Sequence, residues 1–266
     1  MVEASMQRHR KDRIFNGVSD RFLRNIYGTR KGAVRLALLW RDFEDMLPAL
    51  VSGETPMSVL DLGAGVGQIS CRLAALGHQL TLVEPAQEMQ ALARRYWQEQ
   101  GQDIDRVRWV TARVQELPDG IPAGQLVLAH ALLEWLADPF AALPGIAGQV
   151  APGGWLSLMF YNRHAAVWSN LMQGNLERVR RGYLRGRRKS LAPISPLEPQ
   201  AVHAALEDLG FEVACFSGIR IFSDYMADPE QASLNEVIET EAFLSRQEPY
   251  RSLARYIHLL ARKPAL

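Results

Sequence analysis

The residues with the clearest chemical use are three glycines, Gly63, Gly65 and Gly67, and an acid, Glu84. The glycines end the run Val59-Leu60-Asp61-Leu62-Gly63-Ala64-Gly65-Val66-Gly67, and Glu84 closes a second apolar run, Leu80-Thr81-Leu82-Val83. Glycine adopts positive φ without strain and lets a ligand come close to the backbone. A helix starting just beyond the glycines offers unpaired N–H groups. An acid about twenty residues on, at the tip of the neighbouring strand, is placed to accept from both ribose hydroxyls. The spacing therefore predicts a nucleoside site, with main-chain amides at the glycine bend and Glu84 on the sugar. A dinucleotide fingerprint wants its third glycine where Gln68 stands. A tight structural turn and a nicotinamide site remain as alternatives.

Other candidates follow from position. His130 stands where a fourth strand leaves the sheet, the place at which doubly wound folds bind ligands; a satisfied core histidine is its other reading. Glu134, four residues on, is a charged site residue or a helix-start carboxylate favoured by the dipole. Arg35 precedes an apolar stripe (Leu36, Leu39, Trp40, Phe43, Met46, Leu47) and either faces an anionic ligand or is solvated.

These residues need a scaffold, and the hydrophobic pattern supplies one. Short apolar runs at 58–62, 80–84, 107–111, 125–129 and 155–160 alternate with helical patterns at 68–75, 87–100 and 139–150. That alternation predicts an α/β fold, Rossmann-like, with a seven-stranded, mostly parallel sheet. Its later part has a helix at 199–209, strand signals at 211–216 and 219–222, a helix at 230–246 and a last strand at 256–261. Residues 1–50 form an N-terminal helical segment, interrupted at Tyr27-Gly28-Thr29 and expected to lie over the sheet mouth as a lid; residues 1–13 read as a frayed end. Residues 51–266 form the main domain. The stretch 163–198 breaks the rhythm, with helix signals at 165–179, and reads as an insertion.

Composition narrows the function. Of 266 residues 48% are apolar, enough for a sizeable core, and the net charge is only +1. The charge is uneven: residues 178–189 carry seven Arg or Lys and no acid, among them Arg180, Arg181, Arg187, Arg188 and Lys189. With two glycines and Tyr183, this is an arm suited to tracking phosphates, or a solvated basic loop. Cys71 and Cys215 are isolated, without zinc-like spacing. The start lacks an apolar signal region, and no run approaches the ~18 residues of a membrane span. These features lead to the expectation of a cytoplasmic protein with no metal, no membrane and no obligate protein partner.

The pattern D-x-G-x-G-x-G with a second-strand acid resembles motif I of class I S-adenosylmethionine (SAM) methyltransferases. Methyl transfer needs alignment and exclusion of water. A carboxylate acceptor is already nucleophilic and needs no base, only cations or hydroxyls to hold it; Arg220, Tyr225, Tyr161 and Asn162 are the candidates. More specific motifs are Asn25-Ile26-Tyr27-Gly28-Thr29, Lys31-Gly32, Leu132-Leu133-Glu134-Trp135, Leu158-Met159-Phe160-Tyr161-Asn162, Gln247-Glu248-Pro249-Tyr250 and Arg255-Tyr256-Ile257-His258. In these, nearly the whole chain resembles the bacterial tRNA 5-carboxymethoxyuridine methyltransferases. The resemblance implies SAM-dependent esterification of a carboxylate on a wobble uridine, with a tRNA anticodon arm as partner. It implies SAM contacts at Arg35, Gly63, Ala64, Glu84, Val114, Gln115 and His130. Arg113 departs from the acid that many class I enzymes carry near the adenine amine, so backbone groups are expected to serve there. A small-molecule methyltransferase and a non-catalytic SAM- or RNA-binding module are the rival readings.

Overall fold

A computed structural model describes residues 11–14, 29–184 and 193–265. Its centre is a seven-stranded sheet of order β3-β2-β1-β4-β5-β7-β6. The strands are β1 (Ser58–Leu62), β2 (Gln79–Val83), β3 (Arg108–Val110), β4 (Gly124–His130), β5 (Val150–Tyr161), β6 (Glu212–Ile219) and β7 (Tyr256–Arg262). The first five pair in parallel, while β7 runs antiparallel between β5 and β6. Chain order reverses between β1 and β4, so the cleft for a ligand opens at their carboxyl ends.

Helices cover both faces, which is why the inner strands are apolar along their length. On one face lie α1 (Arg30–Met46), α3 (Gln68–Ala75) and α4 (Gln87–Glu99), bringing Leu38, Phe43, Leu73 and Trp97 onto Leu126, Leu128 and Met159. On the other, α5 (Pro139–Gly148) and α8 (Pro199–Asp208) bring Leu143, Ile146, Val202 and Leu206 onto Leu60, Val127 and Leu158. Between α1 and α3 the short α2 spans Pro48–Ser52. Helix α1 starts at Thr29, whose side chain accepts from the Gly32 N–H. Because Leu38 and Phe43 are fully buried, α1 is part of the core, and only its first turns border the cleft.

Several boundaries differ from those expected. Strand β5 begins at Val150, not at 155; Val150 pairs with Gly124, and a register shift follows. The expected pair of strands at 211–222 is one strand, which ends at Ile219, just before Arg220, held at φ 64°. The 165–179 helix is two, α6 (Arg163–Met172) and α7 (Leu176–Arg180), parted at Gly174, where φ is 72°. The 230–246 helix is shorter: α9 (Leu234–Leu244) starts at a capping box of Ser233 and Glu236. A short α10 (Tyr250–Leu253) precedes β7.

Of the start expected to be frayed, residues 1–10 lie outside the described residues, while residues 11–14 are docked. The Arg13 N–H donates to the Trp135 carbonyl at 2.9 Å. Asp12 accepts from the Ala137 N–H at 2.7 Å and from Gln115 Nε2 at 3.0 Å, and Ile14 packs on Val66, Ala86 and Met89. Such polar sequence has no periodicity to announce its contacts, all of which are long-range. Residues 25–28 of the family motif, and Arg187, Arg188 and Lys189, lie outside the described residues.

Candidate cofactor and acceptor site

Strand β1 delivers the glycine bend to the cleft, and β2 delivers Glu84. Gly63, Gly65 and Gly67 all have positive φ, at 69°, 56° and 66°. A Cβ on Gly63 would stand 2.7 Å from Leu132 Cδ1, so a side chain there would collide with Leu132, which also lines the cleft. Four of the five amides from Gly63 to Gly67 do not face a ligand as expected. Gly63 and Ala64 N–H donate to the Val83 carbonyl, Gly65 N–H to Glu84 Oε2 and Gly67 N–H to the Ala64 carbonyl. The bend offers close approach; the Gly63, Ala64 and Gly65 donors hold it against the end of β2, and the Gly67 donor closes the loop on itself.

Glu84 lines the cleft, is nearly buried and accepts one backbone N–H on each oxygen, Gly65 on Oε2 and Ala86 on Oε1, both at 3.0 Å. Burial pushes its carboxyl up, against the two N–H donors that favour the charge. Each oxygen keeps a second lone pair for a ribose hydroxyl. Behind it, Gln90 Nε2 donates to the Glu84 carbonyl at 2.7 Å and to Val110 and Thr111, locking the tips of β2 and β3 together.

Val114 and Gln115 line the same end of the cleft, with Arg113 beside them. The Gln115 side chain is held by Asp12, so the docked segment 11–14 closes this end. Trp135 lies against Arg13 of that segment, and elsewhere in the cleft stand Arg35, His130 and Met159. His130 bonds through Nε2 to Ser157 Oγ at 2.7 Å. Burial, then His258 and Arg35, hold its ring well below the ordinary imidazole value, so it is neutral. Asp61, at the end of β1, also lines the cleft and accepts from Ser70 Oγ at 2.6 Å. Burial is the main cause that pushes its carboxyl up to about 7, and Glu84 adds to it.

Beyond Arg35 the β5, β6 and β7 ends bring together a second group. Asp224 accepts from Arg220 Nη2 on both oxygens, at 2.5 and 2.6 Å, and from Arg255 Nε at 2.7 Å; Lys31 Nζ lies 3.4 Å away. Burial would raise Asp224, but Arg220 and Arg255 outweigh it and bring its carboxyl down to about 2. Arg255 also donates to Tyr161 Oη at 3.0 Å. Three cations thus surround one carboxylate. Arg220 Nε and Tyr225 Oη are buried with no partner among the described residues. Glu134 is buried nearby with Oε2 likewise unpartnered, and burial pushes its carboxyl up to about 8. It carries a proton at neutral pH and is not the helix-dipole carboxylate its position suggested.

Of the sequence candidates, Arg35, Gly63, Ala64, Glu84, Val114, Gln115 and His130 all line one cleft. Tyr161, Arg220 and Tyr225 belong to the neighbouring cluster. Asn162 does not: it is fully buried, caps α6 through the His164 N–H, and donates to the Ser252 and Ala254 carbonyls. Arg180 ends α7 and Arg181 caps it, and both pair with Glu177. Sequence reasoning missed Asp12, Lys31, Asp61, Asp224 and Arg255. Asp61 carried a signal as the first letter of D-x-G-x-G-x-G, and Lys31 and Arg255 stood in family motifs without a role assigned; Asp12 and Asp224 carried none. Among the described residues no cluster could hold a metal ion, and no helix is long and apolar enough to cross a membrane.

An acid with spare acceptors at one end, an arginine at the other, and an apolar floor of Leu132, Met89 and Ile69 between them fit an adenosyl amino acid. Comparison with known proteins agrees. Residues 60–158 match the family model described as a methyltransferase domain. Magnesium protoporphyrin IX methyltransferase from Synechocystis, solved with bound SAH (S-adenosylhomocysteine), shares the fold at a TM-score of 0.62 and 17% identity, over 94% of this chain and 96% of that one. A ubiquinone biosynthesis O-methyltransferase of Xanthomonas campestris is 34% identical over 117 residues, 44% of this chain and 48% of its own. The tRNA 5-carboxymethoxyuridine methyltransferase of Escherichia coli K12 is 36% identical over 257 residues, 96% of this chain and 97% of its own. This chain is therefore a SAM-dependent class I methyltransferase and belongs to the tRNA 5-carboxymethoxyuridine methyltransferase family.

Proposed function

We propose that this enzyme esterifies the carboxylate of 5-carboxymethoxyuridine at the wobble position of tRNA, giving the methyl ester. The observation that carries this reading is the cluster of Arg220, Arg255 and Lys31 about Asp224, next to the cofactor cleft. Its net positive charge, with Arg220 Nε and Tyr225 Oη unpartnered, suits a carboxylate. When bound, SAM supplies an electrophilic methyl group. The protein then has to hold the acceptor in line and keep water out. No general base is needed, because the acceptor is ionised at neutral pH.

The tRNA partner is supported by the basic arm at 178–189 and by exposed Trp168, Met172, Leu176 and Tyr183 around it. Aromatic side chains of this kind stack unpaired bases, and arginines track phosphates. An anticodon arm presenting an extruded base fits both features, and no obligate protein partner is invoked. A tRNA substrate also puts the enzyme in the cytoplasm. Mass spectrometry of tRNA nucleosides from cells lacking the protein tests the proposal. The methyl ester should vanish and the free acid accumulate; an unchanged nucleoside profile refutes it and favours a small-molecule acceptor.

A further inference from the structure

The segment 11–14 crosses the cleft. Ile14 packs on Val66, Ala86 and Met89, which follow β1 and β2. The Arg13 N–H donates to the Trp135 carbonyl at 2.9 Å, and its guanidinium lies 5.4 Å from the centre of the Trp135 ring. Asp12 Oδ1 accepts from the Ala137 N–H at 2.7 Å and Oδ2 from Gln115 Nε2 at 3.0 Å. Asp12 thus ties the loop after β3 to the loop after β4. Asp12, Arg13 and Ile14 all line the cleft.

Among the described residues three carboxyl groups line that cleft, Asp12, Asp61 and Glu84. Asp61 accepts from Ser70 at the end of β1, and Glu84 at the tip of β2 is placed for the ribose. Each carboxylate oxygen has two lone pairs, so the docking bonds leave Asp12 one on each. Sheet order decides what comes near them. Along the carboxyl edge it runs β3-β2-β1-β4-β5. Val114 and Gln115 follow β3, Glu84 follows β2, the glycine bend follows β1 and His130 ends β4. Arg35 is close enough to His130 to disfavour charge on its ring, so an amino-acid tail on Arg35 lies toward β4. With the ribose on Glu84, the purine is left the β3 side, among Ile14, Met89, Val114 and Gln115. Its exocyclic amine brings two N–H donors. Ile14, Met89 and Val114 offer no side-chain oxygen, and Arg113 only donates.

We propose that Asp12 is a cofactor-binding residue whose carboxylate accepts from the exocyclic amine of the adenine, so that the segment docked over the cleft also reads the base. The inference rests on the cofactor site and not on the tRNA acceptor. Gln115 carries the other side-chain oxygen at this end, and the test separates the two.

Calorimetry on the full chain compares SAH with its 6-deamino analogue, in which purine replaces adenine. The native enzyme should prefer SAH by about tenfold or more, as a charge-assisted bond implies. Asp12→Asn removes the charge and keeps the segment fastened. The amide oxygen still accepts from Ala137, and Gln115 can turn its own amide to meet the new NH2. This variant should weaken SAH about tenfold and leave the analogue unchanged. Ile14→Ala loosens the same segment without altering the carboxylate; it should weaken both ligands alike and keep the preference. Gln115→Leu should also keep the preference. Equal weakening of the two ligands by Asp12→Asn, or an unchanged SAH affinity, would reduce Asp12 to a fastener of the segment and overturn the proposal. Preference lost in Gln115→Leu but kept in Asp12→Asn would overturn it in favour of the Gln115 oxygen. No SAH binding by the native enzyme would instead overturn the cofactor assignment.

Discussion

Glu84→Gln separates the two things that Glu84 does. Its oxygens each accept one backbone N–H at 3.0 Å, from Gly65 and Ala86, and each retains one lone pair for the ribose. The amide keeps one accepting oxygen and turns an NH2 toward the other backbone donor. That mismatch costs about 1–3 kcal/mol of stability, the usual penalty for an unsatisfied buried group. One ribose hydroxyl also loses a charged acceptor, worth about 1.5–3 kcal/mol, or about 10- to 150-fold in affinity. Calorimetry with SAH and its 2′,3′-dideoxy analogue tells these effects apart. A collapsed loop weakens both ligands alike. A lost ribose contact weakens SAH and leaves the dideoxy ligand nearly untouched, with a coupling of about 1.5 kcal/mol or more between residue and hydroxyls. An unchanged dissociation constant for SAH, or equal loss for both ligands, refutes the argument.

Three other outcomes follow. Arg255→Gln should raise KM for an anticodon stem-loop acceptor about 10- to 100-fold, the value of one charge-assisted bond, with SAH affinity unchanged; loss of both would mean that Arg255 chiefly holds the fold. Neutralising Arg180, Arg181, Arg187 and Arg188 should flatten the dependence of log tRNA affinity on log salt by up to about 3, and a parallel loss of SAH binding would contradict an RNA role. Glu134 keeps its proton to about pH 8, whereas an ordinary carboxyl loses it near 4.5. Between those values the unfolded chain has released a proton that the native protein still holds, so stability falls as pH rises, by up to about 1.4 kcal/mol per unit from this group. Asp61 acts in the same sense below about 7. Glu134→Gln should flatten the urea-derived profile between pH 5 and 8; parallel profiles for the two proteins would refute it.

The cofactor half of the site was legible because its residues are local. Parallel strands buried on both faces write themselves as short apolar runs, and the bend between β1 and α3 needs glycine at three positive φ values. The acceptor half was not. Asp224 and Arg255 meet because β7 turns back between β5 and β6, and nothing in the residues around either announces the other. Asn162 was misread for the opposite reason. Its type and place at the end of β5 suit a ligand, but the start of α6 and two carbonyls near 252–254 use all its hydrogen-bonding groups. The amides of the glycine bend were misassigned because a sequence does not show that the Val83 carbonyl and Glu84 would claim them first.

Charge placement across the site suits a carboxylate acceptor better than a neutral one. An anion and a cation lose their charges as methyl transfer proceeds, so an acceptor clamped by bare guanidiniums would be held back in its ground state. Asp224 prevents that, for it shares its own charge with Arg220, Arg255 and Lys31. The cluster still attracts an anion but grips it less tightly. Near the cofactor tail the same economy holds. His130 is neutral and Glu134 protonated, so neither adds a charge between the two reactants. A site built for a hydroxyl or amine acceptor would need an ionised base at this point. Here the ionised carboxylate, Asp224, is taken up by Arg220, Arg255 and Lys31, Glu134 retains its proton, and the His130 imidazole has one nitrogen bonded to Ser157. Replacing Asp224 with Asn should therefore tighten acceptor binding while lowering kcat, a split that a purely structural role for Asp224 does not produce; loss of both affinity and turnover would show that the carboxylate merely holds the two arginines in place.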